Sequence, residues 1–369
     1  MHASESSQSF DEKPLVSVIV RTMGRPELAT ALDSLARQTY PNVEILVVDA
    51  RGTGALGLND HCGSHSQRTV SAGKPLLRPA AGNAGLDAAR GDYIGFLDED
   101  DYCDANHLET LVTTLQEQPQ VRVAYVGLRV YQDESASPAY TLHLEHCHEF
   151  LFERNYINLQ AVLFHRSLLA AGCRFDESFP ILEDWDFALQ MAEHTDFLRV
   201  LAVTANYRAD RGTSGAGSGQ NHDAEALLQA KSMLFEKWHS VAKPFRERTR
   251  AELEMGRAAQ LLGDWDEAER IYRNVLTRNP HDVNALNLAG MARLTRGDSQ
   301  RAVELLQRAV VIRPDVPGFL HNLGLALDAS ARQVDTAKGL AGALAMDPQS
   351  QRSPNRLGRP TQLKRDLES

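Results

Sequence analysis

The chain has 369 residues, with 39 Lys and Arg against 49 Asp and Glu, a formal net charge of −10, 43% hydrophobic and 24% charged residues. This is a soluble globular composition, long enough for about two domains, and its acidic balance argues against nucleic acid as a partner, since that binding draws its affinity from Lys and Arg on phosphates. The four cysteines, Cys62, Cys103, Cys147 and Cys173, form no CxxC pair, so neither a disulfide framework nor a zinc knuckle is expected. The start, MHASESSQSFDEKP, has no basic leader with an apolar core, and no apolar run approaches the ~18 residues of a membrane-crossing helix. A cytoplasmic protein is expected, with association at the inner membrane face left open.

In chain order, residues 1–13 read as a disordered N-terminus and residues 14–240 as one domain, in which 14–210 alternate strand-like and helix-like patterns, the signature of an α/β sheet covered by helices on both faces. Strands are predicted at Leu15–Val20, Val43–Val48, Tyr93–Leu97, Val121–Val130, Ala161–His165 and Phe197–Tyr207. Helices are predicted at Pro26–Gln38, Asn83–Ala89, Asp104–Gln116, Glu183–Ala192 and Asp223–Trp238. The Gly-, Ser- and His-rich stretch from Arg51 to Gly73 reads as a long loop near the site, and RADRGTSGAGSGQNHD after Tyr207 reads as a flexible one.

From 245 to 348 a repeat takes over. Gly256, Gly290 and Gly324 recur 34 residues apart, as do Pro280, Pro314 and Pro348; Ala268 pairs with Ala302, and Thr336 takes the third place. Each unit reads as two short amphipathic helices around a Gly-Asp turn, Gly263-Asp264 or Gly297-Asp298, with small residues allowing close packing against Tyr272 or Leu306. The motif G-x11-A-x11-P at this period resembles the tetratricopeptide repeat family. The resemblance implies an all-α solenoid of about three repeats that docks a peptide, a protein or a second copy. The third unit has Ala331 at the turn and Thr336 for Ala, as in a degenerate cap. A helical extension that merely stabilises its neighbour is the plainer alternative. Residues 349–369 read as a disordered tail.

Two acidic clusters lie where ligands bind in open α/β sheets, outside the carboxyl ends of strands. In DYIGFLDEDD a buried strand runs into Asp98, Glu99, Asp100 and Asp101, whose mutual repulsion a divalent cation could relieve; a solvated helix-capping turn is the alternative. In FPILEDWDFALQMA, Glu183 and Asp184 open an amphipathic helix beside Trp185, either as a general base or as acids favoured by the helix dipole. Together with PLVSVIVRTMGRPE, SLARQTYPNVEILVVDARG and AAGNAGLDAARGDYIGFLDEDD, these clusters resemble the family 2 glycosyltransferases of the GT-A nucleotide-sugar fold, over about residues 14–210. The resemblance implies inverting transfer of a sugar from a nucleoside-diphosphate donor, with Mn2+ or Mg2+, to a glycan, lipid-linked or protein acceptor. It places Asp98 and Asp100 in the DxD motif, with Asp100 on the metal and Asp98 facing ribose or metal. It makes Asp184 the catalytic base beside Glu183, and puts Thr22 and Asp49 in the nucleoside pocket and Asn83 and Arg90 near the donor.

The sequence departs from the family after the second strand, where the second of two consecutive acids often meets uracil; here the pair is Asp49-Ala50. Either the donor carries another base or Asp49 or Arg51 makes the contact. Arg208 and Arg211, with the Gly-rich loop after them, read as a lid for the diphosphate or as surface loop. His143, His146, Cys147 and His148 in HLEHCHEF are close together, and His146 and His148 would share one face of a strand as in a transition-metal site, yet no second cluster with ligand spacing accompanies them. His222 reads as a surface histidine. Two rival readings remain: a repeat scaffold whose α/β domain binds nucleotide with little or no catalysis, and a carboxylate-pair glycoside hydrolase, which would need no strand-end acidic run.

Overall fold

A computed structural model of the chain describes residues 13–133, 137–211 and 223–346, with side chains described through Arg332. The disordered termini expected at 1–13 and 349–369, most of the proposed lid loop, and His222 lie outside the described residues or nearly so. Two compact units divide at Arg248 and Thr249, close to the 240–245 boundary read from the sequence.

The first unit is built on a mixed sheet of ten strands among the described residues: β1 (Val16–Thr22), β2 (Val43–Asp49), β3 (His61–Cys62), β4 (His65–Val70), β5 (Tyr93–Asp98), β6 (Tyr102–Cys103), β7 (Val123–Tyr131), β8 (Tyr140–Leu142), β9 (Val162–His165) and β10 (Phe197–Arg208). The order is β3-β4-β2-β1-β5-β9-β7-β10-β6, with β8 on β7. β4, β2, β1 and β5 run parallel, β9 is antiparallel to both β5 and β7, and β10 is parallel to β7. The helices are α1 (Leu28–Ala36), α2 (Arg78–Ala88), α3 (His107–Glu117), α4 (His148–Leu151), α5 (Ser167–Ala170), α6 (Glu183–Ala192) and α7 (Ala224–Lys237).

Alternation along the strands divides the core. Val16, Val18 and Val20 join Val43, Ile45 and Val47 in one cluster with Leu28, Leu32 and Leu35 of α1 and Leu108, Leu111 and Leu115 of α3. Ile19 points the other way, where α2 comes so near that a Cβ on Gly85 would stand 2.4 Å from it. Both faces are therefore covered, which explains why β1 and β2 are continuous apolar runs and not half-polar ones.

Three expectations need correction. α2 begins at Arg78, five residues before the expected Asn83, because Pro79 in the first turn opens a helix instead of stopping one. The 51–73 stretch is not all loop: β4 extends the sheet beside β2, despite its polar sequence HSQRTV, because it is the penultimate strand and need not bury both faces. His146 and His148 share no strand; His146 stacks on Phe197 and His148 opens α4, and no group of three or more His, Cys, Asp or Glu among the described residues is arranged to hold a metal ion.

The second unit is all-α. α8 (His239–Leu261) runs into it, followed by α9 (Trp265–Arg278), α10 (Val283–Thr295), α11 (Ser299–Ile312) and α12 (Pro317–Met346). Gly263 and Gly297 take positive φ at the turns, and Asp264 and Asp298 then cap α9 and α11 through the amides of Glu267 and Arg301. The periodic glycines are contact points: a Cβ on Gly256 would lie 2.3 Å from Tyr272, and one on Gly290 2.7 Å from Leu306. Gly324 meets nothing, and α12 continues through Ala331 without a turn. The described chain thus holds two closed helix pairs and one long helix in place of the third. Without a turn glycine, nothing in the sequence breaks that helix.

Gly256→Ala is expected to destabilise the C-terminal unit by about 1–3 kcal/mol by overpacking against Tyr272. Hydrogen exchange should show the loss in α9 and α10 while β1, β2 and β5 keep their protection.

Candidate active site

The parallel strands end together. Thr22 pairs with Asp49 across β1 and β2, and Arg21 with Asp98 across β1 and β5, so the side chains following these positions share one rim. The chain passes from β1 to β2 on one side and, after β4, crosses through α2 to β5 on the other side of β1, which makes this rim the switch point where crevices form.

Arg21 organises the rim. It is a guanidinium inside an apolar strand, with a side chain only 4% exposed, and it pairs with Asp98 at 2.8 Å and Glu183 at 3.0 Å. Arg78, at the start of α2, adds a second guanidinium to the same two acids, at 2.7 Å from Asp98 and 3.4 Å from Glu183. Burial alone would raise the Asp98 carboxyl, but Arg21 and Arg78 outweigh it and hold it down at about 2. Both Asp98 oxygens receive guanidinium donors.

The other acids of the run do different work. Glu99 is buried and accepts from the Thr22 hydroxyl, the amides of Met23 and Arg25, and the Arg25 guanidinium, so it shapes the loop after β1. Asp101 is buried, accepts from the Arg208 amide and Gln160, and is pushed well up by burial and then by Asp100 and Asp98. Asp100 has a single ionic partner, Arg25 at 3.1 Å, and burial and Asp98 raise its pKa. Asp98 and Asp100 are the two acids of the run that are not fully buried, and Asp100 has the fewer cationic contacts of the two, which fits a divalent cation that takes one or two carboxylates and completes its shell with phosphate and water.

Across the cluster, α6 is fixed residue by residue. Leu182 is the one non-glycine with positive φ among the described residues, at 64°, and turns the chain sharply into the helix. Trp185 donates from Nε1 to the Leu151 carbonyl, and buried Asp186 accepts from Lys237 and Trp238 Nε1, both at 2.9 Å. Glu183 is held by the two arginines. Asp184 is left half-buried, touched by Asn155 at 3.4 Å and by the amide of Trp185, and burial, then Glu183, raises its pKa. Arg78 lies within electrostatic reach of Asp184 as well as Asp98 and Glu183.

The structure thus brings together Thr22, Asp98, Asp100, Glu183 and Asp184. Asp49 is at the same rim but fully buried, with Thr53, Gly54 and Arg51 filling its oxygens; burial pushes its pKa up, and these hydrogen bonds prevail and lower it. Asn83 faces the 175–177 segment, exchanging hydrogen bonds with the backbone of Phe175 and reaching Glu177. Arg90 is at the far end of the strands, its amide on Glu44 and Ser17, so it is not gathered into this site. Arg208 places its amide on Asp101 and its guanidinium on Asp210; Arg211 reaches toward Glu27 and accepts from Arg25 through its carbonyl. Arg21, Arg25 and Arg78 were missed from sequence. The available signal was Arg21 itself, a charge at an inward position of VSVIVRT that demands a buried acidic partner.

Residues 17–176 match the family model described as glycosyl transferase family 2, and residues 253–317 match a tetratricopeptide repeat model. An uncharacterized glycosyltransferase of Bacillus subtilis, EpsJ, is 29% identical over 208 residues, 51% of this chain and 59% of that one. The chain therefore spans less than two thirds of that relative. The amylovoran biosynthesis glycosyltransferase AmsB of Erwinia amylovora is 27% identical over 248 residues, 63% of this chain and 79% of its own. A solved structure of S. aureus TarS 1-349 in complex with UDP-GlcNAc aligns with a TM-score of 0.46 at 13% identity, covering 86% of this chain and 92% of that one.

Arg21→Met leaves Asp98 and Glu183 to Arg78 alone and should cost about 3–5 kcal/mol in urea unfolding, the scale for breaking a buried ion pair. The lowered Asp98 pKa gives stability that is complete above the unfolded carboxylate value near 4 and is lost as pH falls through about 2. Acid titration by circular dichroism should therefore show a component on the order of 2 kcal/mol in that window that is missing in Asp98→Asn.

Proposed function

We propose that this protein, whose residues 17–176 match the family model described as glycosyl transferase family 2, moves a sugar from a nucleoside-diphosphate donor to an acceptor hydroxyl in one inverting displacement, with a divalent cation, Mn2+ or Mg2+. The observation that carries the reading is the division of acids around the arginine cluster. Asp98 and Glu183 are neutralised by Arg21 and Arg78, while Asp100 and Asp184 remain with little cationic compensation and raised pKa values.

Asp100 would hold the cation. When bound, that ion supplies positive charge to the departing diphosphate. The chain's own residues do the rest. Arg78 and Arg21 keep Asp98 ionised and fixed at the rim, where it would face the donor's ribose or the metal. Glu99 and Thr22 shape the loop over the nucleoside end. Asp184 takes the proton of the attacking hydroxyl; a carboxylate raised by burial is a stronger base than an exposed one and sits nearer to neutral working pH. Its neighbours Glu183, Trp185 and Asp186 are each pinned, so the base is carried on a rigid first turn.

The acceptor is proposed to be a glycan, in keeping with the Erwinia relative named for amylovoran biosynthesis. The helical repeats would dock a protein partner or orient the acceptor. No helix among the described residues is long and apolar enough to cross a membrane.

The test is a panel of nucleotide sugars assayed for hydrolysis and transfer with and without Mn2+. Asp184→Asn should lower kcat by about 100-fold or more with nucleotide affinity kept. Asp100→Ala should lose the metal-dependent part of nucleotide binding. Metal-independent turnover, or full activity in Asp184→Asn, would sink this assignment of roles.

A further inference from the structure

Resting on the nucleotide-sugar reading above, we propose that Arg51 reads the donor's nucleobase as a two-pronged hydrogen-bond donor. It would favour a base with two adjacent acceptors, guanine through O6 and N7 or cytosine through N3 and O2, over uracil.

On the reading above the diphosphate meets the acids and arginines at the end of β5, Asp100, Arg21 and Arg78, which leaves the neighbouring segments that follow β1 and β2 for the base. In those segments the side-chain acceptors of Thr22 and Asp49 are already engaged. Asp49 is 0% exposed; its Oδ1 takes the amide and Nε of Arg51, and its Oδ2 takes the Thr53 hydroxyl and the Gly54 amide at 2.8 and 2.7 Å. Ala50 is buried, its amide donating to the Thr22 carbonyl and its carbonyl accepting from Leu76. The buried Thr22 hydroxyl serves Glu99 and the Gly24 amide.

Arg51 differs from all of these. Its side chain is 35% exposed, and Asp49 ties down its Nε at 3.3 Å. Gly24, at φ 73°, lies against the guanidinium: a Cβ there would be 2.6, 2.7 and 2.8 Å from Cζ and the two terminal nitrogens, distances so alike that the group must lie face-on. With one edge tied and one face covered, the two terminal nitrogens remain as parallel donors. Such a fork matches two neighbouring acceptors. Uracil instead presents an N3–H donor between two carbonyls, and with Asp49 sealed and Ala50 apolar that N–H finds no side-chain acceptor here, a loss that weakens binding.

Calorimetry of the full chain with Mn2+ and GDP, CDP, UDP or ADP tests this, in the wild type and in Arg51→Lys and Arg51→Ala. GDP or CDP should bind at least about tenfold more tightly than UDP and ADP, and which of the two leads assigns the base edge. Arg51→Lys keeps the charge and loses the fork, so the preference should shrink to within about threefold while UDP affinity holds. UDP as the tightest ligand, an unchanged preference in both variants, or an equal loss for every diphosphate would overturn the inference; the last would make Arg51 a phosphate contact. If no diphosphate binds the wild type, the glycosyltransferase reading fails first and this one with it.

Discussion

A buried guanidinium in a central strand sets the terms for the first unit. Arg21 cannot remain charged beside the rings of Phe96 and Phe175 unless acids meet it, and the two that do come from segments far away in sequence, Asp98 on β5 and Glu183 on α6, with Arg78 of α2 closing the ring. Replacing such a cluster with hydrophobic groups can be neutral or even stabilising, so its value is not simply thermodynamic. What it does is fix the ends of two strands and two helices to one point, each by charge-assisted hydrogen bonds of defined direction.

That fixed point explains how four adjacent acids can coexist. Two are taken out of play electrostatically or structurally, Asp98 by guanidinium and Glu99 by the loop it shapes, and a third, Asp101, is buried against the Arg208 amide. Asp100 is left with Arg25 alone. Similarly, of the acids opening α6, Glu183 and Asp186 are bound by cations from other elements and only Asp184 faces the site without one. The proposed chemistry falls to the residues the scaffold does not consume, and their raised pKa values follow from the same low-dielectric setting that makes the arginine pairs strong.

The repeat unit obeys a simpler constraint, close approach of helices. Where a glycine faces a large partner, Gly256 against Tyr272 and Gly290 against Leu306, a helix pair closes; where Gly324 faces nothing, α12, packed on α11 through Ala326 and Leu306, runs on as one helix. The period of 34 was visible in the sequence, but closure needed a turn glycine as well, and Ala331 does not provide one.

The sequence by itself determined the fold class, because apolar runs, alternation and the 34-residue period are local signals: six predicted strands coincide with β1, β2, β5, β7, β9 and β10 to within two residues at either end. The acidic clusters Asp98–Asp101 and Glu183–Asp184 were also visible, since clusters at strand and helix ends can be seen in one dimension. Tertiary structure alone decided which of those acids are free. Asp49 looked like a pocket residue and is sealed by its own turn; Asn83 looked close to the donor and is committed to Phe175; Arg90 belongs to the other end of the sheet. Arg78 is invisible as a site residue until α2 is docked on β1, because its meaning lies in partners 20 and 105 positions away in the chain. Burial and charge pairing are properties of a packed interior, and no pattern along a single sequence carries the distances that decide them.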